Sequence, residues 1–123
     1  MANTSEQYDI VIQQCMDIFA KKAMDYGTAW RILRTSSLTD QIYIKANRIR
    51  SIQEKGEAKI AEGIIPEFIG IINYSVMALI QLEMGAASGT DDLEMDPKLA
   101  TEMYHKYIYA AKSLMMDKNH DYD

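Results

Sequence analysis

A chain of 123 residues, 48% hydrophobic and 25% charged, has the size and balance of one folded domain and excludes a disordered or collagen-like polymer. Thirteen Lys and Arg against 18 Asp and Glu leave a net charge of −5. With no basic run, that argues against a surface for double-stranded nucleic acid, which needs clustered cations for its phosphates. A single nucleotide stays open, because a metal ion or a few local cations can hold its phosphates. Cys15 is the only cysteine, so an internal disulfide is excluded and a reducing, cytoplasmic setting is expected. Nine Met and eight Tyr against two Phe predict a core of Met, Ile and Leu edged by tyrosine rings.

The opening MANTSEQYD has neither the positive region nor the apolar run of a signal peptide. A first helix is predicted from a Thr4 or Ser5 cap, with Glu6 in its first turn. Tyr8, Ile12, Cys15, Phe19 and Ala23 follow the i, i+4, i+7 rhythm of a buried stripe, which Val11, Ile18 and Met24 widen. Gly27 is the expected stop, since it tolerates positive φ.

The connector from Thr28 to Ser36 carries the only tryptophan, Trp30, with Arg31 and Arg34, and is too apolar for a loose loop. A second helix is expected from Ser36 or Ser37, with Asp40 in its first turn. Its predicted stripe is Leu38, Ile42, Ala46, Ile49 and Ile52 or Gln53. The polar turn Glu54-Lys55-Gly56-Glu57 closes it.

A third helix, from Glu62 or Pro66 to Met84, is apolar almost all round and is therefore expected to be surrounded by other helices. Pro66 fits best in its first turn, where a missing N–H costs little. The apolar run from Phe68 to Ile80 is interrupted by Asn73 and Ser75 and falls short of the roughly 20 residues of a membrane span, so a core helix and no membrane contact are expected. A small-residue linker, 85–92, leads to Asp96-Pro97, a cap and first-position pair. A last helix with the stripe Leu99, Met103, Tyr107 (or Lys106), Ala110 and Leu114 follows. Strand patterns are weak throughout. Asp121-Tyr122-Asp123 echoes Asp25-Tyr26-Gly27, with Lys118 matching Lys22. A second copy of the unit is therefore expected to start near 118–123 of the single domain 1–123, or else a homodimer or higher oligomer to take its place.

Four polar groups on this scaffold could carry chemistry. Lys22, Asp25 and Tyr26 close the first helix beside Trp30 and Arg31, a set able to stack a base and hold a phosphate, or simply a helix cap with a core plug. Asp40 lies with Lys45 and Arg48 on the second helix, either as a site or as a solvated face. Glu62 and Glu67 near the start of the third helix are oxygen donors suited to Mg²⁺. Five residues apart, they project about 140° from each other unless Glu62 precedes the helix. Asn73 in the apolar run needs a hydrogen-bond partner, either across the bundle or in a ligand. Phosphate-binding glycine loops, zinc-ligand spacings and nucleophile elbows are missing. His105 and His120 read as solvent-facing.

Three blocks resemble a known family: Lys22-x-x-Asp25-Tyr26-Gly27-x-Ala29-Trp30-Arg31, then Ser37-Leu38-Thr39-Asp40-Gln41-Ile42-x-Ile44-Lys45-Ala46-x-Arg48-Ile49-Arg50, then Glu62-Gly63-Ile64-x-x-Glu67-Phe68-Ile69-Gly70-Ile71-Ile72-Asn73-Tyr74. They look like the DUF1599 family, also called nucleotide modification associated domain 1, which is similar to the MazG/dUTPase group of all-α nucleoside triphosphate pyrophosphohydrolases. The resemblance implies a four- to five-helix bundle of that type, completed by a tandem copy or by oligomerisation. It implies Mg²⁺ held by Asp40, Glu62 and Glu67, with Glu62 and Glu67 catalytic. Lys22, Asp25, Tyr26, Trp30, Arg31, Lys45, Arg48 and Asn73 would face a nucleotide. Where the MazG group carries a second acid three residues on, this chain has Gly70. A non-catalytic nucleotide-binding or assembly module is therefore the alternative expectation.

Overall fold

The computed structural model describes residues 3–56, 60–87 and 95–122. Over them the chain forms four long helices, α1 (Thr4–Tyr26), α2 (Thr35–Lys55), α3 (Ile60–Met84) and α4 (Pro97–Tyr122), with a 3₁₀ turn at Ala29–Ile32 after α1. No strand occurs among the described residues, so the expected all-α bundle is the fold. Glu57, residues 88–92 of the small-residue linker and Asp123 lie outside the described residues. Helix α4 continues through Tyr122, where the echo of the first helix end was expected.

The helix ends follow their local chemistry, with small shifts. Asn3, rather than Thr4 or Ser5, caps α1, its side chain accepting from the Glu6 N–H at 2.9 Å. Gly27, at φ 76°, ends α1 by returning its N–H to the Ala23 carbonyl. Helix α2 starts at Thr35, ahead of both expected serine caps, so Asp40 sits beyond the first turn. Asp96 caps α4 by accepting from the Lys98 N–H, with Pro97 in the first position. Pro66 is a correction. It lies inside α3, which starts six residues earlier, and leaves one helical hydrogen bond unmade.

Packing joins two layers through α3. One side of α3 runs along α2, and another meets α1 and α4, which also pack on each other. Ile12, Cys15 and Phe19 of α1 interlock with Val76 and Ile80 of α3 and with Ala100, Tyr104 and Ile108 of α4. The stripe read for α1 is thus the core stripe, but its widening is not: Val11, Ile18 and Met24 are exposed. Ala46 of α2 is likewise exposed. The larger correction concerns α3. Only 17% of its most apolar stretch is buried, because α2, α1 and α4 cover part of its circumference and not all of it.

Asn73 fastens these layers. Its Nδ2 donates to the Cys15 carbonyl of α1 at 3.2 Å, and its Oδ1 accepts from the Tyr104 hydroxyl of α4 at 2.7 Å. Both contacts are buried, where an unmade hydrogen bond is costly. Burial also pushes the Cys15 thiol and the Tyr104 phenol above their ordinary pKa. A phenol kept neutral in the fold contributes stability below the unfolded value of 10.0, and that contribution is lost as pH rises above it. Tyr104→Phe is expected to cost about 1–3 kcal/mol at pH 7 by stranding Asn73 Oδ1. It should also flatten the alkaline fall in stability, both effects read by urea unfolding at pH 7 and pH 10.5.

Candidate functional site

A cleft of about 650 Å³ opens between the C-terminal half of α1, the 3₁₀ turn and α3. That is within the range of small-molecule sites, roughly 300–1,000 Å³. Its inner wall is apolar, formed by Phe19, Trp30, Ile69 and Met77 among others. The Phe19 and Trp30 rings lie 6.2 Å apart in a tilted pair, which orients the indole. Lys22, Tyr26, Lys45, Asn73 and Tyr74 supply its polar groups. Five of the eight residues expected to face a nucleotide (Lys22, Tyr26, Trp30, Lys45 and Asn73) therefore share one cleft, although they come from three helices and a turn.

Each arrives by a separate route. Lys22 is exposed on the last turn and a half of α1, one turn before Tyr26, which is 81% exposed at the mouth. Trp30 enters through the 3₁₀ turn. That turn is pinned from two directions: Thr28 Oγ1 exchanges 2.8 Å hydrogen bonds with the backbone of Met95, and Gln81 Nε2 donates to the Arg31 and Leu33 carbonyls. Asn73 forms part of the wall while both its amide atoms are engaged in the bundle.

Lys45 crosses from α2 because of Gly70. A Cβ on Gly70 would stand 3.1 Å from Lys45 Cε and 3.3 Å from Cδ, so the bare glycine lets the lysine stem lie flat on α3. Its Nζ then comes 3.1 Å from one oxygen of Glu67, while Arg48 stands 3.8 Å from the other. Gly70 is thus the seat of a cation-bearing side chain.

The remaining expected residues fall elsewhere. Arg31 is 4% exposed and turned into the fold, its Nη1 donating to the Gly85 carbonyl at 2.9 Å. Asp25 and Asp40 are exposed and do not line the cleft. Arg48 does not line it either and pairs with Glu67 instead. Helix α3 begins before Glu62, so Glu62 and Glu67 project about 140° apart and do not share a face. Among the described residues, no group of three or more His, Cys, Asp or Glu could hold a metal ion. Glu67 does not line the cleft and has both its oxygens facing cations, so the described acids do not fit a Mg²⁺ site. His105 is exposed, against the ring of Tyr109; the side chain of His120 lies outside the described residues.

Sequence reading missed the wall residues Phe19, Ile69 and Met77 as cleft formers. Met77 was within reach, one helical turn past Asn73 on the same face. Phe19 and Ile69 look like core positions by periodicity, and only the gap left by the 3₁₀ turn makes them line a cavity.

Fold and cleft together define an all-α helical domain with a ligand-sized, apolar cleft fringed by lysines. Residues 22–82, the stretch from Lys22 through α2 to the C-terminal part of α3, match the model of the DUF1599 family, described as nucleotide modification associated domain 1. Comparisons with curated proteins and with solved structures give no match.

The geometry separates scaffold from cleft. Arg31→Ala is expected to cost about 2 kcal/mol or more, because a buried charged hydrogen bond and its packing are lost. Lys22→Ala should stay within about 0.5 kcal/mol of the parent. Urea unfolding followed by circular dichroism checks both.

Proposed function

We propose that this domain binds a nucleotide in the cleft between α1, the 3₁₀ turn and α3. The observation that carries the reading is the convergence of stacking rings and two lysines on one apolar cavity of about 650 Å³. The match of residues 22–82 to a family described as nucleotide modification associated domain 1 supports it.

In this reading the base lies against Trp30 and Tyr26, whose ring faces favour stacking. The phosphates lie at the mouth, toward Lys22 and Lys45, where charge-assisted contacts are strongest. Lys45 then exchanges Glu67 for phosphate, and Arg48 remains beside the carboxylate it leaves. The net charge of −5 makes these local cations the determinants of anion binding. The domain would act as a nucleotide-binding module. Kinship to the MazG-like pyrophosphohydrolases would add Mg²⁺-dependent release of pyrophosphate, with the acids for it coming from a second copy or from chain beyond the described residues.

Trp30 is the only tryptophan, so its fluorescence reports the cleft directly. Titration with a panel of ribo- and deoxynucleoside triphosphates should change the Trp30 emission and raise the melting temperature. Lys45→Met and Lys22→Met should each weaken binding by about tenfold or more, the worth of one charge-assisted contact. The absence of both a fluorescence change and thermal stabilisation at millimolar nucleotide would overturn the reading. Pyrophosphate release on adding Mg²⁺ would extend it to hydrolysis.

A further inference from the structure

Among the described residues, helix α3 leaves one face largely uncovered, and that face has a regular pattern. Positions 65, 68, 72, 75, 79 and 82 step by three and four residues in turn, the spacing of a helix–helix seam. Ile65, Phe68, Leu79 and Leu82 on it are 53%, 48%, 39% and 70% exposed. Ile72 and Ser75 between them are half-buried, and the Ser75 hydroxyl is already satisfied by the Ile71 carbonyl. None of these six positions is charged; Glu83, at the C-terminal edge of the face, is paired with Lys106 of α4. The cleft opens on a different side of α3, through Pro66, Gly70, Asn73 and Met77.

The seam reads alike from both ends. About its midpoint Ile65 mirrors Leu82, Phe68 mirrors Leu79, and Ile72 mirrors Ser75. A twofold interface requires such a self-complementary patch, in which residue i meets j while j meets i. Two copies laid antiparallel would set each large side chain against another large one at the ends and bulky Ile72 against small Ser75 at the centre. The seam is about 26 Å long at 1.5 Å per residue.

Area points the same way. Taking a whole large side chain at roughly 200 Å², the four exposed seam residues leave on the order of 400 Å² open per protomer, already the size of an interaction patch. Beside Ile72 the apolar surface continues into a groove of about 390 Å³ walled by Tyr8, Val11, Ile12, Ile108 and Met115. The groove and the half-buried Ile64 and Ile71 enlarge this patch, which stays below the roughly 800 Å² per partner of a standard interface and within the range of smaller ones.

We infer that α3 is a homodimerisation helix, its 65–82 seam pairing antiparallel with the same seam of a second copy. A second copy fits better than a bilayer. Membrane insertion of α3 would carry the Lys45–Glu67–Arg48 ion pairs, on the adjoining face, into hydrocarbon, whereas a second α3 covers the seam alone. The inference does not depend on what the cleft binds.

Sedimentation equilibrium on the full chain should give twice the 14.0 kDa protomer mass. The double variant Phe68→Glu with Leu79→Glu should sediment as a monomer with its helical circular dichroism retained. Register is tested by mixing an Ile65→Cys chain with a Leu82→Cys chain under mild oxidation; Cys15 is buried and stays out of the reaction. The mixture should form a covalent dimer several-fold faster than either chain alone. A monomeric parent at 100 μM would overturn the inference. So would faster cross-linking of Ile65→Cys with itself, or flotation of the parent chain with phosphatidylcholine vesicles.

Discussion

Asn73 is a polar residue in the middle of the most apolar helix, and the bundle is organised around satisfying it. An amide there must find both a donor and an acceptor, since each one left unmade in the interior costs about 1–3 kcal/mol. Its two partners come from different helices, the Cys15 carbonyl of α1 and the Tyr104 hydroxyl of α4. The constraint is geometric as well as energetic. With Asn73 bonded both ways, α1, α3 and α4 have one mutual register, and the hydrophobic cluster of Ile12, Phe19, Val76, Ile80 and Ile108 closes around it. Apolar contacts alone would tolerate sliding by a turn, because methyl groups of Ile, Leu and Met exchange for one another at small cost.

That register also makes the cleft. With α1 docked on α3 through Asn73, the C-terminal half of α1 faces the middle of α3 across the cleft, and the 3₁₀ turn fills only part of the space between them. Gln81 and Thr28 hold this turn by its backbone, which leaves the Trp30 side chain free to form a wall. On the other flank, Lys45 lies in the space that Gly70 leaves and reaches the same cavity from α2. Helix α3 thus has distinct faces: one locked to α1 and α4, one paired with α2, one lining the cleft, and one that is apolar and uncovered.

Much of this was readable in the order of residues. The i, i+4, i+7 spacing of Ile12, Cys15, Phe19 and Ala23 marks the core face of α1 because backbone geometry alone sets that periodicity. Gly27 and the Asp96-Pro97 pair mark helix ends for reasons local to a few dihedral angles. Lys22, Tyr26 and Trp30 could be grouped because they lie within nine residues of one another. The misreadings share a cause. Val11, Ile18 and Met24 are apolar and neighbour the stripe, yet whether they are buried depends on how wide a face the opposing helices present. Arg31 sits in the same short motif as Trp30, but the turn sends one side chain to the cleft and the other to the Gly85 carbonyl.

By itself, the sequence determined the helices, their approximate ends, the core stripe of α1 and the need of Asn73 for partners, because each follows from interactions spanning a few residues. Tertiary structure decided which partners Asn73 takes, that Lys45 from α2 joins Lys22 from α1 at one cavity, and that Gly70 exists to seat a lysine stem. It also decided that Glu62 and Glu67 part company and that α3 keeps one apolar face open. These depend on the relative placement of whole helices, which is set by long-range packing that no local pattern encodes.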